Sequence, residues 1–141
     1  MTFDPARPRY TLPFAGETYD LLGTFGLIEA VEHALQRGVA QIAVEVTGPM
    51  PAYDLAKLVA AVLSASGSSM KPKEAGDLLW NKVGLVGEEN ATLRLHLYAF
   101  LSICLAPPPE REAKANDMGK LIGSLEAGSP GETTTALASA S

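Results

Sequence analysis

Residues 9–35 read RYTLPFAGETYDLLGTFGLIEAVEHAL, and this stretch decides the fold. Apolar Tyr10, Leu12 and Phe14 alternate with Thr11 and Pro13, which is the period of a half-buried strand. Pro13 has no N–H to give to a ladder, so the strand is expected at a sheet edge or with position 13 facing outward. Ala15-Gly16-Glu17 supplies a turn in which Gly16 is free to take positive φ, and Tyr19 to Gly23 returns as a short second arm. The period then changes. Thr24 is a good N-cap residue, and Leu27, Ile28, Val31 and Leu35 fall on one face of a helix, with Gly38 where a C′ glycine belongs. Two strands alone are marginal in water, so the hairpin is expected to lie on helices.

The remaining chain supplies those helices. Val39 to Val46 is open to two readings: Ile42, Val44 and Val46 alternate as in a strand, while Val39, Ile42, Ala43 and Val46 fit helical spacing. After the loop Gly48-Pro49-Met50-Pro51, the residues Leu55, Leu58, Val59, Val62 and Leu63 make a clean helical stripe that ends in Ser64 to Ser69. Pro72 opens another helix, in which Ala75, Leu78, Leu79 and Lys82 share a face and Trp80 points partly elsewhere. Gly84 and Gly87 bracket a connector. Glu88 and Glu89 then suit the positive end of a helix that runs to about Leu105 and is apolar nearly all round, as expected of a central helix. Pro107, Pro108 and Pro109 stop it and predict a stiff extended spacer. Beyond them, Met118, Leu121, Ile122 and Leu125 form a narrow stripe on a mostly polar helix over roughly 110–126.

The expected organisation is a flexible leader (1–8), a hairpin plus helical core domain (9–106), a proline-tethered amphipathic arm (107–126) and a disordered tail rich in Gly, Ser, Thr and Ala (127–141). The fold class is α+β, mainly α: an N-terminal β-hairpin packed on a small helical bundle, with a C-terminal amphipathic helix.

Composition narrows the function. Apolar residues make up 47% of 141, enough for a real core. The net charge is −5, and the eleven Lys and Arg form no basic stripe, so nucleic acid is not an expected partner. The longest apolar run, Leu95 to Ala106, contains His96 and is too short to span a bilayer, and residues 1–8 lack the charged-then-apolar pattern expected of a signal peptide. A membrane is therefore not an expected partner, and the cytoplasm of a bacterial host is the expected compartment. The single cysteine, Cys104, sits among Leu101, Ile103 and Leu105 and reads as a buried, inert thiol.

Catalysis needs convergent groups, and the spacing supplies none. His33 and His96 are too far apart for a zinc helix motif; His33 reads as a solvated flank and His96 as a packed or hydrogen-bonded core group. Ser102 and His96 are six apart on one helix and diverge, Glu88 and Glu89 are adjacent and diverge, and Gly84-Leu85-Val86-Gly87 is too short for a phosphate loop. No catalytic residue, cofactor or metal is assigned. What remains is apolar surface. Trp80 and Tyr98 are residues of the kind that anchor interfaces, although a core position is the plainer reading of both. Met118, Leu121, Ile122 and Leu125 could dock on their own domain, on a second copy or on another protein. These six are the candidate protein-binding residues.

The run Tyr10-Thr11-Leu12-Pro13-Phe14-Ala15-Gly16-Glu17-Thr18-Tyr19-Asp20-Leu21, followed closely by Phe25-Gly26-Leu27-Ile28-Glu29-Ala30-Val31-Glu32, resembles the start of the tail assembly chaperones encoded in gene transfer agents and long-tailed phages. The helix Asp54 to Leu63, ending in a small-residue loop, continues that likeness, which covers roughly residues 9–105. Two features depart from it: Leu93 to Leu105 is unusually apolar, and the extension beyond Pro107 is longer. The resemblance implies a non-enzymatic protein that coats the aggregation-prone tape-measure protein while tail tube subunits polymerise around it, and that is absent from the finished particle. Self-association into a homo-oligomer would help it cover a long chain. The alternative is a structural tail component, a tube or connector subunit. Tube subunits are dominated by long strands, and this chain offers one hairpin.

Overall fold

The computed structural model describes residues 3–127. The expectation of a disordered tail falls almost wholly on residues 128–141, outside that range. The chain is α+β and mainly α: strands β1 (Arg9–Phe14) and β2 (Glu17–Leu22) precede six helices, α1 (Phe25–Leu35), α2 (Val39–Val46), α3 (Ala52–Ala65), α4 (Pro72–Leu78), α5 (Glu88–Leu105) and α6 (Arg111–Ala127). A π-helical turn (Leu79–Val83) continues α4, and a short 3₁₀ turn (Pro108–Glu110) leads into α6.

The hairpin turn is tighter than expected. Both Ala15 (φ 54°) and Gly16 (φ 86°) take positive φ, so two residues close the turn and Glu17 already belongs to β2. Such a turn matches the right-handed twist of the strands. The closing pair is Phe14 with Glu17, and alternation along the ladder puts Pro13 opposite Thr18 in a pair that requires no N–H from it. Pro13 is exposed, while Leu12 and Phe14 are buried.

Thr24 Oγ1 accepts the Leu27 N–H at 3.1 Å, the expected N-cap of α1. The helix ends two residues earlier than Gly38 suggested. Gln36 takes the left-handed conformation (φ 57°) at its C-terminus, and Gly38 (φ −70°) instead precedes α2 as its N-cap. Positive φ is uncommon for a glutamine, so a glycine two residues on was the stronger but misleading signal. Residues 39–46 are helical. Val39, Ile42, Ala43 and Val46 are buried and Val44 is exposed, a partition that only the helical period produces. Glu32 Oε2 accepts the Val39 N–H at 2.8 Å and so fixes where α2 begins.

Two long helices organise the core. The helix α3 packs against α1, α4 and β2, and α5 packs against α2, α6 and β1. Leu55, Leu58, Val59, Val62 and Leu63 of α3 are fully buried, as their stripe predicts. The nearly uniform apolarity of α5 has a two-sided cause. Leu93, Leu97, Phe100 and Leu101 join the main core, while Ala99 and Ile103 face α6. Polar ties fix the helices relative to one another. Arg94 donates to the Val46 and Met50 carbonyls (3.1 and 2.9 Å), and Arg37 bridges Glu45 and Asp54, both at 2.9 Å. Those carboxylates hold the Arg37 guanidinium above its ordinary pKa, Asp54 foremost.

The three prolines do not form an extended spacer. Pro108 and Pro109 enter the 3₁₀ turn, and the reversal is held by Arg111. Its guanidinium donates to the carbonyls of Ala106 (3.0 Å), Cys104 (3.2 Å) and Pro5 (2.6 Å). The first two are end carbonyls of α5 that have no partner within the helix, and a cation is favoured there.

Candidate functional site

The six candidate residues separate into three settings. Trp80 is exposed, Tyr98 is half-buried between the main core and the α6 contact, and the α6 stripe is split along its length. Core burial, the plainer expectation for Trp80, is overturned: it is 73% exposed. The cause is local. The π turn buries Leu79 and Val83 against the core and carries the three residues between them, Trp80, Asn81 and Lys82, outward. The Gly84 N–H closes that turn on the Leu79 carbonyl at 2.7 Å, and Asn90 Nδ2 donates to the Gly84 carbonyl at 2.9 Å. Gly84 itself sits at φ 94° and ψ 153°, a region essentially reserved for glycine.

Beside this turn lies an apolar groove of about 410 Å³ between α3 and α4, lined chiefly by Tyr53, Ala56, Gly76, Leu79 and Leu85. Trp80, in the π turn, is next in sequence to Leu79 of the groove lining. A Cβ at Gly76 would lie 3.8 Å from Ala56 Cβ, an ordinary contact, so the packing of the two helices does not depend on glycine there. Tyr53 is 71% exposed, with Lys57 Nζ 4.4 Å from its ring centroid, and Lys73 pairs with Asp77 at 3.2 Å on the rim. Leu85 and Val86 continue the apolar surface through the connector. A second apolar groove, of about 580 Å³, runs by Pro8, Phe25, Ile28, Leu105 and Arg111.

On the other side, Met118 and Ile122 are buried against Ala99 and Ile103 of α5, with Leu95, Tyr98 and Ala115 packed around them. Leu121 and Leu125, on the adjoining edge of the same helix face, are exposed. The arm therefore docks on its own domain through two anchors. Each buried anchor contributes roughly 1.5–3 kcal/mol. Against that, each of the interior glycines Gly119 and Gly123 costs about 1 kcal/mol relative to alanine.

Sequence reasoning missed Tyr53, Leu85, Val86 and Phe25. Tyr53 carried a usable signal, because it falls off the stripe begun by Leu55 and an aromatic there has no core to enter. Leu85 and Val86 lie in a connector without periodicity and carried none.

The titratable groups take structural places. His96 is buried, its Nδ1 2.7 Å from the Tyr10 hydroxyl, and His33 is exposed on α1. Burial pushes the Cys104 thiol up to about 11, with Arg111 pulling weakly the other way. Among the described residues no group of three or more His, Cys, Asp or Glu is placed to hold a metal ion, and no helix is long and apolar enough to cross a membrane.

Against known proteins the chain finds no match: not a family model, not a curated protein and not a solved structure. The apolar grooves and the exposed aromatics beside them, Tyr53 and Phe25, are the candidate site. A groove of this size accepts one or two apolar side chains, while the paired charges on its rim leave little net field.

Proposed function

We propose that this chain is a non-enzymatic assembly chaperone of the phage-tail type, which binds the tape-measure protein while tail tube subunits polymerise around it. One observation carries the reading: Trp80 stands in solvent, next in sequence to Leu79, which lines the apolar groove of α3 and α4. A large aromatic at the margin of an apolar cleft is the arrangement of an interface anchor, and burying it against a partner gains what exposure forgoes. The client that fits is a long helical chain with apolar side chains. Such a chain aggregates when free, and weak contacts repeated along it shield it without holding it permanently. The likeness of residues 9–105 to tail assembly chaperones supports the same reading from an independent direction.

Co-expression tests it. A phage-type tape-measure protein should remain in solution and co-elute with the wild-type protein, and should precipitate without it. Purified particles should lack the chain. Its presence in them in fixed stoichiometry would replace this reading with that of a tube or connector subunit.

A further inference from the structure

We infer that α6 is a strap over an apolar face of α5, and that it swings open to admit a separate amphipathic helix built like α6 itself, with apolar residues at i and i+4. Only the natural identity of that helix rests on the chaperone reading; the strap and its seat stand on geometry.

The seat is narrow. Met118 and Ile122, four apart, are buried on Ala99 and Ile103, yet Leu121 and Leu125 on the adjoining edge of the same stripe stay in solvent. A helix evolved only to close the core would turn that whole stripe inward. The body of the strap is also weakened where packing does not demand it. A Cβ at Gly119 or at Gly123 would meet nothing within 4 Å, so neither glycine serves a close approach. What both do is lower the helix propensity immediately after each anchor. One end is nonetheless fixed, because Arg111 holds the carbonyls of Pro5, Cys104 and Ala106. A weak body joined to a firm hinge swings and does not leave. The occupant's chemistry is read from the helix now seated there: Ala99 of α5 leaves room for a side chain of Met or Ile size one turn from its like.

The test uses the full chain and a labelled peptide of residues 111–127 added in trans. Met118→Asp with Ile122→Asp breaks the seat and should bind the peptide about ten-fold more tightly than wild type, because apparent affinity scales with the open fraction. Gly119→Ala with Gly123→Ala stiffens the strap and should bind it more weakly than wild type. In the unliganded wild-type chain, amides of α6 should exchange about ten-fold faster than those of the buried part of α5. Equal peptide affinity for all three chains, or equal protection of α6 and α5, overturns the strap. If the aspartate variant fails to fold, the alanine pair and the exchange measurement decide. Failure of the tape-measure protein to bind would leave all of these results unchanged, so the two readings fail separately.

Discussion

The Tyr10 hydroxyl lies 2.7 Å from His96 Nδ1, 86 residues further along the chain, joining the first strand to the middle of α5. The Tyr10 ring also meets the His96 ring edge-on at 5.8 Å and lies 5.9 Å from Phe100, so one side chain fastens the hairpin to α5. Which partner donates depends on the imidazole tautomer. In either case, removing the hydroxyl takes one hydrogen bond from a buried ring.

Tyr10→Phe should therefore lower stability by about 1 kcal/mol while leaving the far-ultraviolet circular dichroism unchanged. Urea unfolding of the two proteins checks it. An unchanged midpoint would mean that this hydrogen bond contributes nothing to holding the hairpin on α5.

Gly84→Ala tests the turn that presents Trp80. The new Cβ would lie 3.2 Å from the Val86 carbonyl, on a backbone with φ 94°. The substitution should cost about 1–3 kcal/mol and disturb the connector carrying Leu85 and Val86. Thermal unfolding measures the loss, and a variant as stable as wild type would contradict the strained geometry.

Cys104 makes stability depend on alkaline pH. Its folded thiol titrates at about 11, above the ordinary 9.0, so the folded state keeps its proton over a range in which the unfolded chain loses it. The contribution is complete below about pH 9 and is lost as pH rises from there through the folded value. Unfolding midpoints should therefore fall more steeply over that window for wild type than for Cys104→Ala. A disulfide-exchange reagent should react slowly with the native protein at neutral pH and quickly once it is unfolded.

Much of this was legible in the sequence. The strand period of Tyr10 to Phe14, the Thr24 cap and the stripe from Leu55 to Leu63 each follow from local rules, and the structure contains all three. The misreadings arose where local rules give way to neighbours. Gly38 was a plausible helix end until Gln36 took the left-handed conformation ahead of it. Three prolines read as a spacer because nothing local announces that Arg111 will gather three carbonyls and fold the chain back. Tryptophan ordinarily seeks the core, but Trp80 lies off the face that Ala75, Leu79 and Val83 bury, a phase its helical spacing already hinted at. Of the candidate site, the α6 stripe could be found by its period. Its division into a buried and an exposed half depends on where α5 lies.

Trp80→Ala should change stability by no more than about 0.5 kcal/mol, since the side chain it removes is mostly in solvent. The same variant should retain less tape-measure protein in co-elution. A large loss of stability would return Trp80 to the core, and unimpaired co-elution would remove it from the interface.

Trp80 is the only tryptophan, so its fluorescence reports on the proposed interface without a label. The most direct measurement is a titration of the wild-type protein with a tryptophan-free fragment of the tape-measure protein, following emission and acrylamide quenching. The proposed role predicts red-shifted, readily quenched emission in the free protein, moving to the blue and becoming protected as the fragment binds. Emission and quenching that stay unchanged at saturating fragment would contradict it.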